Sequence, residues 1–475
     1  MKKIMLIYPP NGRYQRGEER CQIDAFSSSA NNLRACNDLG IAAAVLKKEG
    51  FSVFLRDYPA ENASFKDLKN DINRENPEAV FMSITNGSIF DDLDTVREIK
   101  DLKPDIKVIL KGALFFNPDK SLFEQLDLNS IDVLTGAEFE FILARLFNAV
   151  FENTDELKHI DGISYKSGGK WVSNKLINFN ENLDGLPFPD RSLMKNELYV
   201  NPLSNKPMAV ISAARGCPSK CIYCLSPVIS GRKVRFRSTE NVLEEIKECV
   251  YKYGITDFFF KSDTFTINKK RVMDLCSLII KSGLKINWAA NSRADTLDEE
   301  MLLKMKEAGC SLIALGLESG SEESLLKMSK GVSVQQNRAA VHLIKKCGIK
   351  IWGFYLIGFP WETKQHLEET KKLMFELDAD FIELSIAVPF KGSRLYEMTG
   401  STSDVLGKDS FKNTAAVSKY LTKKELETFR KRVLIEYHLR PEYILNKLFD
   451  KTLTPALFFN YVKYGLRLLK NNLMK

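Results

Sequence analysis

Histidine is scarce in this 475-residue chain, which has only 4, and none precedes His159. A metal centre built on histidine is therefore excluded from the first third. Long apolar runs are missing as well: no stretch of about 18 or more apolar residues occurs, so no segment reads as a membrane-spanning helix. Met1 to Pro10 does not read as a signal peptide, because its apolar part, Ile4 to Tyr8, stops at Pro9 and Pro10, short of the length such peptides need. A cytoplasmic protein is the expectation. Short repeats and low-complexity tracts are absent too. Hydrophobic residues at 44% and charged residues at 27% are the balance of a folded protein, and the length is enough for two or three packed units.

Neither sign of charge dominates, since 69 basic against 61 acidic residues leave +8. The excess gathers at the end, where Lys447, Lys451, Lys463, Arg467, Lys470 and Lys475 oppose Asp450 alone. That makes the tail a candidate for an acidic surface. The 9 cysteines, in a chain without an export signal, read as metal ligands, catalytic thiols or core residues before disulfides. Cys249, Cys276, Cys310 and Cys347 sit in or beside apolar helical patterns and are expected to be small buried hydrophobes. Cys21 and Cys36 fall in a long loop, and their role stays open.

An alternation of strands and helices fills residues 1–153. Strands are predicted at Lys3–Tyr8, Ser52–Asp57, Ala79–Ile84, Lys107–Leu110 and Asp132–Leu134, and helices at Asp38–Glu49, Phe65–Glu75, Asp91–Leu102 and Glu138–Phe151. Single helices between strands require crossovers, so a doubly wound parallel sheet is expected, with ligands beyond the carboxyl ends of its strands. The loop from Pro9 to Asn37 leaves at that edge and is a candidate ligand cover. From 154 to 207 the alternation stops for a hairpin around Ser167–Gly169 and a proline-spaced linker, Leu186–Arg191.

From 208 to 400 the alternation returns. Strands are predicted at Met208–Ala213, Asp257–Lys261, Lys285–Ala290, Ser311–Gly316, Lys350–Ile357 and Asp380–Ile386, with five helices between them. Six such units make a partial (β/α)6 barrel of the TIM type, whose reactive groups lie at the carboxyl ends of the strands. Residues 401–475 read as a helical C-terminal region.

The segment Arg215–Cys224, RGCPSKCIYC, is the most informative. Cys217, Cys221 and Cys224 follow a strand directly, and a loop of that compact spacing can place one thiolate on each of three irons of a cubane while leaving the fourth iron open. A zinc site or an incidental cluster is the alternative reading. Structural zinc normally takes four protein ligands, and no histidine lies nearby.

This spacing, with Tyr223 before the last cysteine, resembles the signature of the radical S-adenosylmethionine (SAM) superfamily. The likeness continues strand by strand through Phe260–Phe265, Asn291–Asp295, Gly316–Gly320, Gly353–Glu362 and Pro389–Tyr396. It implies a 4Fe-4S cluster on Cys217, Cys221 and Cys224, and SAM chelating the open iron and cleaved to a 5′-deoxyadenosyl radical. A one-electron reductant such as flavodoxin or ferredoxin is implied as partner. It also implies cofactor contacts from Tyr223 near the adenine, Arg293 at the carboxylate, Glu318 at the ribose or amino group, Gly358 by backbone approach, and Asp263. Ion pairs, helix ends and a plain turn are the structural alternatives for these residues.

The first domain resembles the cobalamin-binding domain of the class that includes cobalamin-dependent radical methyltransferases and anaerobic magnesium-protoporphyrin ester cyclase. Tyr8–Pro10, Asp38–Leu46, Gly50–Val53 and Gly136–Glu138 carry that likeness. With no histidine before His159, cobalamin would bind without a histidine ligand from this domain, or the domain has another use. The implied activity is methylation or oxidative rearrangement of a small-molecule or lipid-like substrate. A methylthiotransferase is a competing reading, but those enzymes carry a second cluster on three N-terminal cysteines and only Cys21 and Cys36 precede residue 200. A zinc-stabilised nucleic-acid-binding protein is a third, and no aromatic-basic platform favours it. Along Leu457–Lys470, Phe458, Tyr461, Val462, Leu468 and Leu469 share a helical face opposite Asn460, Lys463, Arg467 and Lys470. Such a helix can lie in an anionic membrane interface or pack on the protein itself.

Overall fold

The computed structural model describes residues 1–12, 33–136, 138–400, 406, 418–450, 453 and 455–473. Most of the Pro9–Asn37 loop, Cys21 included, and Lys451 and Lys475 lie outside the described residues. So do the side chains of Arg467, Leu468, Leu469 and Lys470.

The first sheet contains β1 (Lys3–Tyr8), β2 (Ser52–Asp57), β3 (Ala79–Ser83), β4 (Lys107–Lys111), β5 (Val133–Thr135), β6 (Ile163–Ser167) and β7 (Lys170–Ser173). Their order is β2-β1-β3-β4-β5-β6-β7. The first five pair in parallel, while β6 joins β5 and β7 joins β6 in antiparallel fashion. The hairpin expected in the linker thus continues this sheet, covering the edge that β5 would otherwise expose.

Alternate residues of each central strand enter opposite cores. Ile4, Leu6, Phe81 and Ile109 pack with the helices Asn37–Lys48 and Phe139–Glu152. Met5, Ile7, Val80, Met82 and Val108 pack with Phe65–Glu75 and Ile89–Leu102. Both faces are covered, which is why the strands read as continuous apolar runs.

The second sheet contains β8 (Met208–Ser212), then, after the two-residue strands β9 (Ala214–Arg215) and β10 (Arg235–Phe236), β11 (Asp257–Lys261), β12 (Asn287–Ser292), β13 (Cys310–Glu318), β14 (Lys350–Ile357) and β15 (Phe381–Ile386). Its six strands stand in sequential order from β8 to β15, the connectivity of three quarters of a (β/α)8 barrel. One core gathers Ile211, Phe258, Phe260, Trp288, Ile351, Ile382 and Leu384 with the intervening helices. Phe259, Met208 and Val210 cluster on the other face, so by alternation Glu383 and Ser385 lie there too. Cys249, Cys276, Cys310 and Cys347 are buried core thiols, as the sequence pattern requires.

The C-terminal region is helical at Arg394–Thr399, Lys423–His438, Pro441–Leu448 and Pro455–Leu473. Leu426, Phe429, Val433 and Tyr437 complete the second core. The last helix does not present the face expected for Tyr461: Leu457 is buried and Tyr461 packs near Phe381 with ring centroids 6.4 Å apart, whereas Phe458 and Val462 remain exposed.

Candidate active site at the cysteine loop

The loop between β9 and β10 carries all three motif cysteines. Gly216 enters it with φ +100, and a Cβ there would come within 2.1 Å of the Lys233 carbonyl oxygen, so only glycine fits. Its N–H donates to Asp263 Oδ2 at 2.7 Å, and the Cys217 N–H donates to the Gly231 carbonyl at 3.0 Å. Further along, the Ile222 N–H reaches the Met328 carbonyl at 3.0 Å, and the Ile222 carbonyl accepts from Leu395 N–H at 2.9 Å. The loop is therefore held from the end of β11, from the residue after the short helix Glu322–Lys327, and from the helix Arg394–Thr399.

Cys217 is buried, and Cys221 and Cys224 are half-buried. Burial pushes the Cys221 thiol up, against the pull of the cations Lys330 and Arg293. Arg293 Nη1 points at Cys221 Sγ from 3.8 Å. Cys224 Sγ accepts from Ser226 N–H at 3.4 Å and lies 3.2 Å from Ser226 Oγ. Among the described residues no three Cys, His, Asp or Glu side chains close on a point as a single metal ion requires. A cubane takes one thiolate at each of three corners and so needs its sulfurs spread apart.

The other five sequence-derived positions fall around this loop in different ways. Tyr223 meets Phe359 edge-on with centroids 5.8 Å apart, and Phe359 stacks on Trp361 at 5.2 Å. Burial and the Glu318 carboxylate, which accepts from its hydroxyl, hold the Tyr223 phenol far above its ordinary range. Glu318 ends β13 with φ 62 and pairs with Lys330 Nζ at 2.7 Å, both side chains buried. Backbone outliers of this kind persist only where surrounding contacts enforce them, and they concentrate at functional sites. Arg293 binds Asp295 with two prongs, Nε–Oδ1 2.9 Å and Nη2–Oδ2 2.8 Å, and also donates to the Lys330 carbonyl. Burial acts to lower its pKa, yet Asp295 and the sulfurs of Cys221 and Cys217 hold it above the usual arginine value.

Gly358, with φ +92, closes β14 where a Cβ would meet Ile386 and Leu426 at 3.0 Å. Its N–H and that of Phe359 donate to Glu362 Oε2 at 2.6 and 3.1 Å. Burial raises the Glu362 pKa against these bonds and that from Ser324. Asp263 braces the cysteine loop rather than capping the next helix, whose cap is Asn268. Lys330, Glu362 and Asp295 were not singled out by sequence reasoning. Glu362 and Asp295 lie inside quoted motif runs, but Lys330 follows a six-residue helix with no spacing to mark it.

Residues 211–374 match the model of the radical SAM superfamily. An uncharacterised methyltransferase of Pyrococcus horikoshii is 32% identical over 418 residues, 87% of this chain and 90% of the relative. The chain belongs to the radical SAM superfamily. The anaerobic magnesium-protoporphyrin IX monomethyl ester cyclase of Rubrivivax gelatinosus is 26% identical to this radical SAM protein over 79% of the chain and 68% of the cyclase. In fold it matches the radical SAM methyltransferase TsrM of Kitasatospora setae, solved with cobalamin and a 4Fe-4S cluster, at TM-score 0.72 and 17% identity over 100% of both chains. The cobalamin-dependent radical enzyme OxsB matches at TM-score 0.64 and 18% identity over 90% of this chain and 58% of OxsB.

Proposed function

We propose that this radical SAM protein holds a 4Fe-4S cluster on Cys217, Cys221 and Cys224 and cobalamin at the carboxyl edge of its first sheet, and methylates or oxidatively rearranges an unactivated carbon of a small molecule. One observation carries the reading: the two ligand-bearing edges meet. Glu138, three residues after the end of β5, is hydrogen-bonded to Arg215, two residues before Cys217. Groups bound at the two edges are therefore neighbours. The relatives support cobalamin, and so does the strand order 2-1-3-4-5, in which ligands sit where the order reverses between β1 and β3.

When bound, the cluster would supply the electron for reductive cleavage of SAM, and cobalamin would serve as the methyl carrier. The chain's residues bind, orient and enclose. Tyr223, Phe359 and Trp361 offer an aromatic wall for adenine. Glu318 and Lys330 offer an acceptor and a donor to the ribose or the amino and carboxylate groups. Trp352 and Phe354, with centroids 4.8 Å apart, stand on the same face of the sheet as Glu383 and supply an apolar surface for the substrate.

Anaerobic reconstitution should give about four irons per chain and cleavage of SAM, and added hydroxocobalamin should give a protein-bound cobalamin spectrum. A Cys221→Ala variant should lose the cluster and the cleavage while keeping cobalamin. Cleavage retained in that variant would refute the cluster assignment, and no change in the cobalamin spectrum would refute the first domain's role.

A second reading concerns the tail. Ile444, Leu445, Leu448, Phe449, Phe459, Val462 and Leu466 are all exposed, Phe449 at 80%. Exposed apolar side chains on the last two helices, with the exposed Lys463 among them, suit an anionic lipid interface. No described helix is long and apolar enough to cross a membrane. Co-sedimentation with phosphatidylglycerol vesicles should fall on deletion of residues 446–475, and unchanged partitioning would count against the contact.

A further inference from the structure

Four charges, three of them buried and Arg215 half-buried, join the first domain to the cysteine loop. Glu138 is 4% exposed and sits at the cap of the helix Phe139–Glu152 in the left-handed conformation, φ 59, where a non-glycine residue is strained. Its Oε2 accepts from Arg235 Nη1 at 2.9 Å, and its Oε1 accepts from Arg235 Nη2 at 3.1 Å and from Arg215 Nη1 at 3.2 Å. Glu140 Oε1 accepts from Arg215 Nη2 at 2.7 Å. Two carboxylates meet two guanidinium groups, so the cluster is neutral as a whole.

The two arginines are partners across one ribbon, since β9 and β10 pair with Arg215 opposite Arg235. Everything between them is the cysteine loop. Arg235 also donates to the Ser230 carbonyl at 2.9 Å, and the next residue, Gly231, accepts the Cys217 N–H. On the far side Arg235 donates to the Asn180 carbonyl, whose residue returns its own N–H to Glu138 Oε2 at 2.9 Å. The carboxylates of one sheet's ligand edge therefore fix both ends of the loop on the other sheet's ligand edge.

We propose that Glu138 and Glu140 are positioning residues for the cluster, acting through Arg215 and Arg235 to set the loop geometry and the charge beside the cysteines. This rests on the cluster reading above. Neutralising one carboxylate leaves a guanidinium uncompensated near an anionic cluster, which favours the reduced, more negative cluster. A variant that removes one charge of each sign restores neutrality.

The test uses the full-length chain, reconstituted anaerobically with iron and sulfide. Iron content, the cluster midpoint potential and SAM cleavage are measured for the wild type, E138Q, E138Q/R235Q and E138D. E138Q should raise the midpoint potential and slow cleavage by about tenfold or more. E138Q/R235Q should bring the potential back towards the wild type although it is no better packed, and E138D should keep the potential while slowing cleavage. A purely structural contact lowers stability and leaves the potential unmoved. The inference is overturned if E138Q has the wild-type potential, or if the double variant is displaced as far as E138Q. Should E138Q not accumulate, E140Q is measured against the same two criteria. A wild-type protein that binds no iron rejects the cluster reading instead.

Discussion

Two lysine–carboxylate pairs lie buried at the carboxyl edges of the two sheets, and they are built differently. Asp38 meets Lys111 Nζ at 2.9 Å and also accepts from Tyr8 Oη, Ser83 Oγ and the Leu39 N–H. Burial acts to raise its pKa, but Lys111 and these hydrogen bonds hold it below the ordinary carboxylate value. Glu318 meets Lys330 on a left-handed backbone beside the cysteines, with the Tyr223 hydroxyl as its other donor. The first pair has its hydrogen bonds satisfied within the fold and acts as a rivet among β1, β3, β4 and the helix Asn37–Lys48. The second sits on a strained backbone, with Glu318 at φ 62, beside the half-buried Cys221 and Cys224. Burial and charge are alike in the two, so function is read from what surrounds them.

The sharpest way to break this contrast is to cut both pairs. Lys111→Met should cost about 3–5 kcal/mol of stability in denaturant unfolding, because it strands the Asp38 charge in the core. Lys330→Met should cost less and instead weaken SAM binding by about tenfold, measured by equilibrium dialysis on reconstituted protein. Equal stability losses with unaltered SAM affinity would show that the two pairs do the same work. Next in size is Gly216→Ala, which meets both a left-handed backbone and the Lys233 carbonyl. It should cost about 2 kcal/mol and reduce iron retained after gel filtration.

The smallest effect concerns pH. Burial pushes Asp92, bonded to Asn11 and Ser88, and Glu383, near Arg34 and Arg430, up to about 7 from ordinary values of 3.8 and 4.5. Between those values and about pH 7 the unfolded chain holds fewer protons than the folded one, so this stability is full below about pH 4 and is lost as pH rises through 7. The unfolding free energy measured in denaturant should fall from pH 6 to pH 7 by about 1 kcal/mol for each group, and D92N/E383Q should flatten that slope. A slope unchanged in the double variant would remove both groups from the account.

Much of this was legible in the chain. β1, β2, β11 and β14 begin and end where the apolar patterns predict, because strands buried on one or both faces leave a strong period in sequence. The three cysteines were legible for a different reason: they fall on one short loop, so their spacing survives without coordinates. Lys330, Asp92 and the Glu138–Arg235 contact were not legible. Each depends on residues brought together from separate elements, and no local pattern records such a meeting. Arg293 was visible as a residue but not in its posture, since only the folded chain shows Asp295 occupying two prongs of its guanidinium.

By itself the sequence determined two α/β units, the loop that holds the sulfurs and the absence of a histidine ligand from the first domain. These follow from periodicity, spacing and composition, which are properties of neighbours along the chain. The tertiary structure alone decided that the hairpin extends the first sheet, that Asp263 braces the loop, and that Glu138 and Glu140 reach across to Arg215 and Arg235. Those outcomes depend on which buried charges find partners when distant segments pack, and that selection is made by the desolvation of the folded interior.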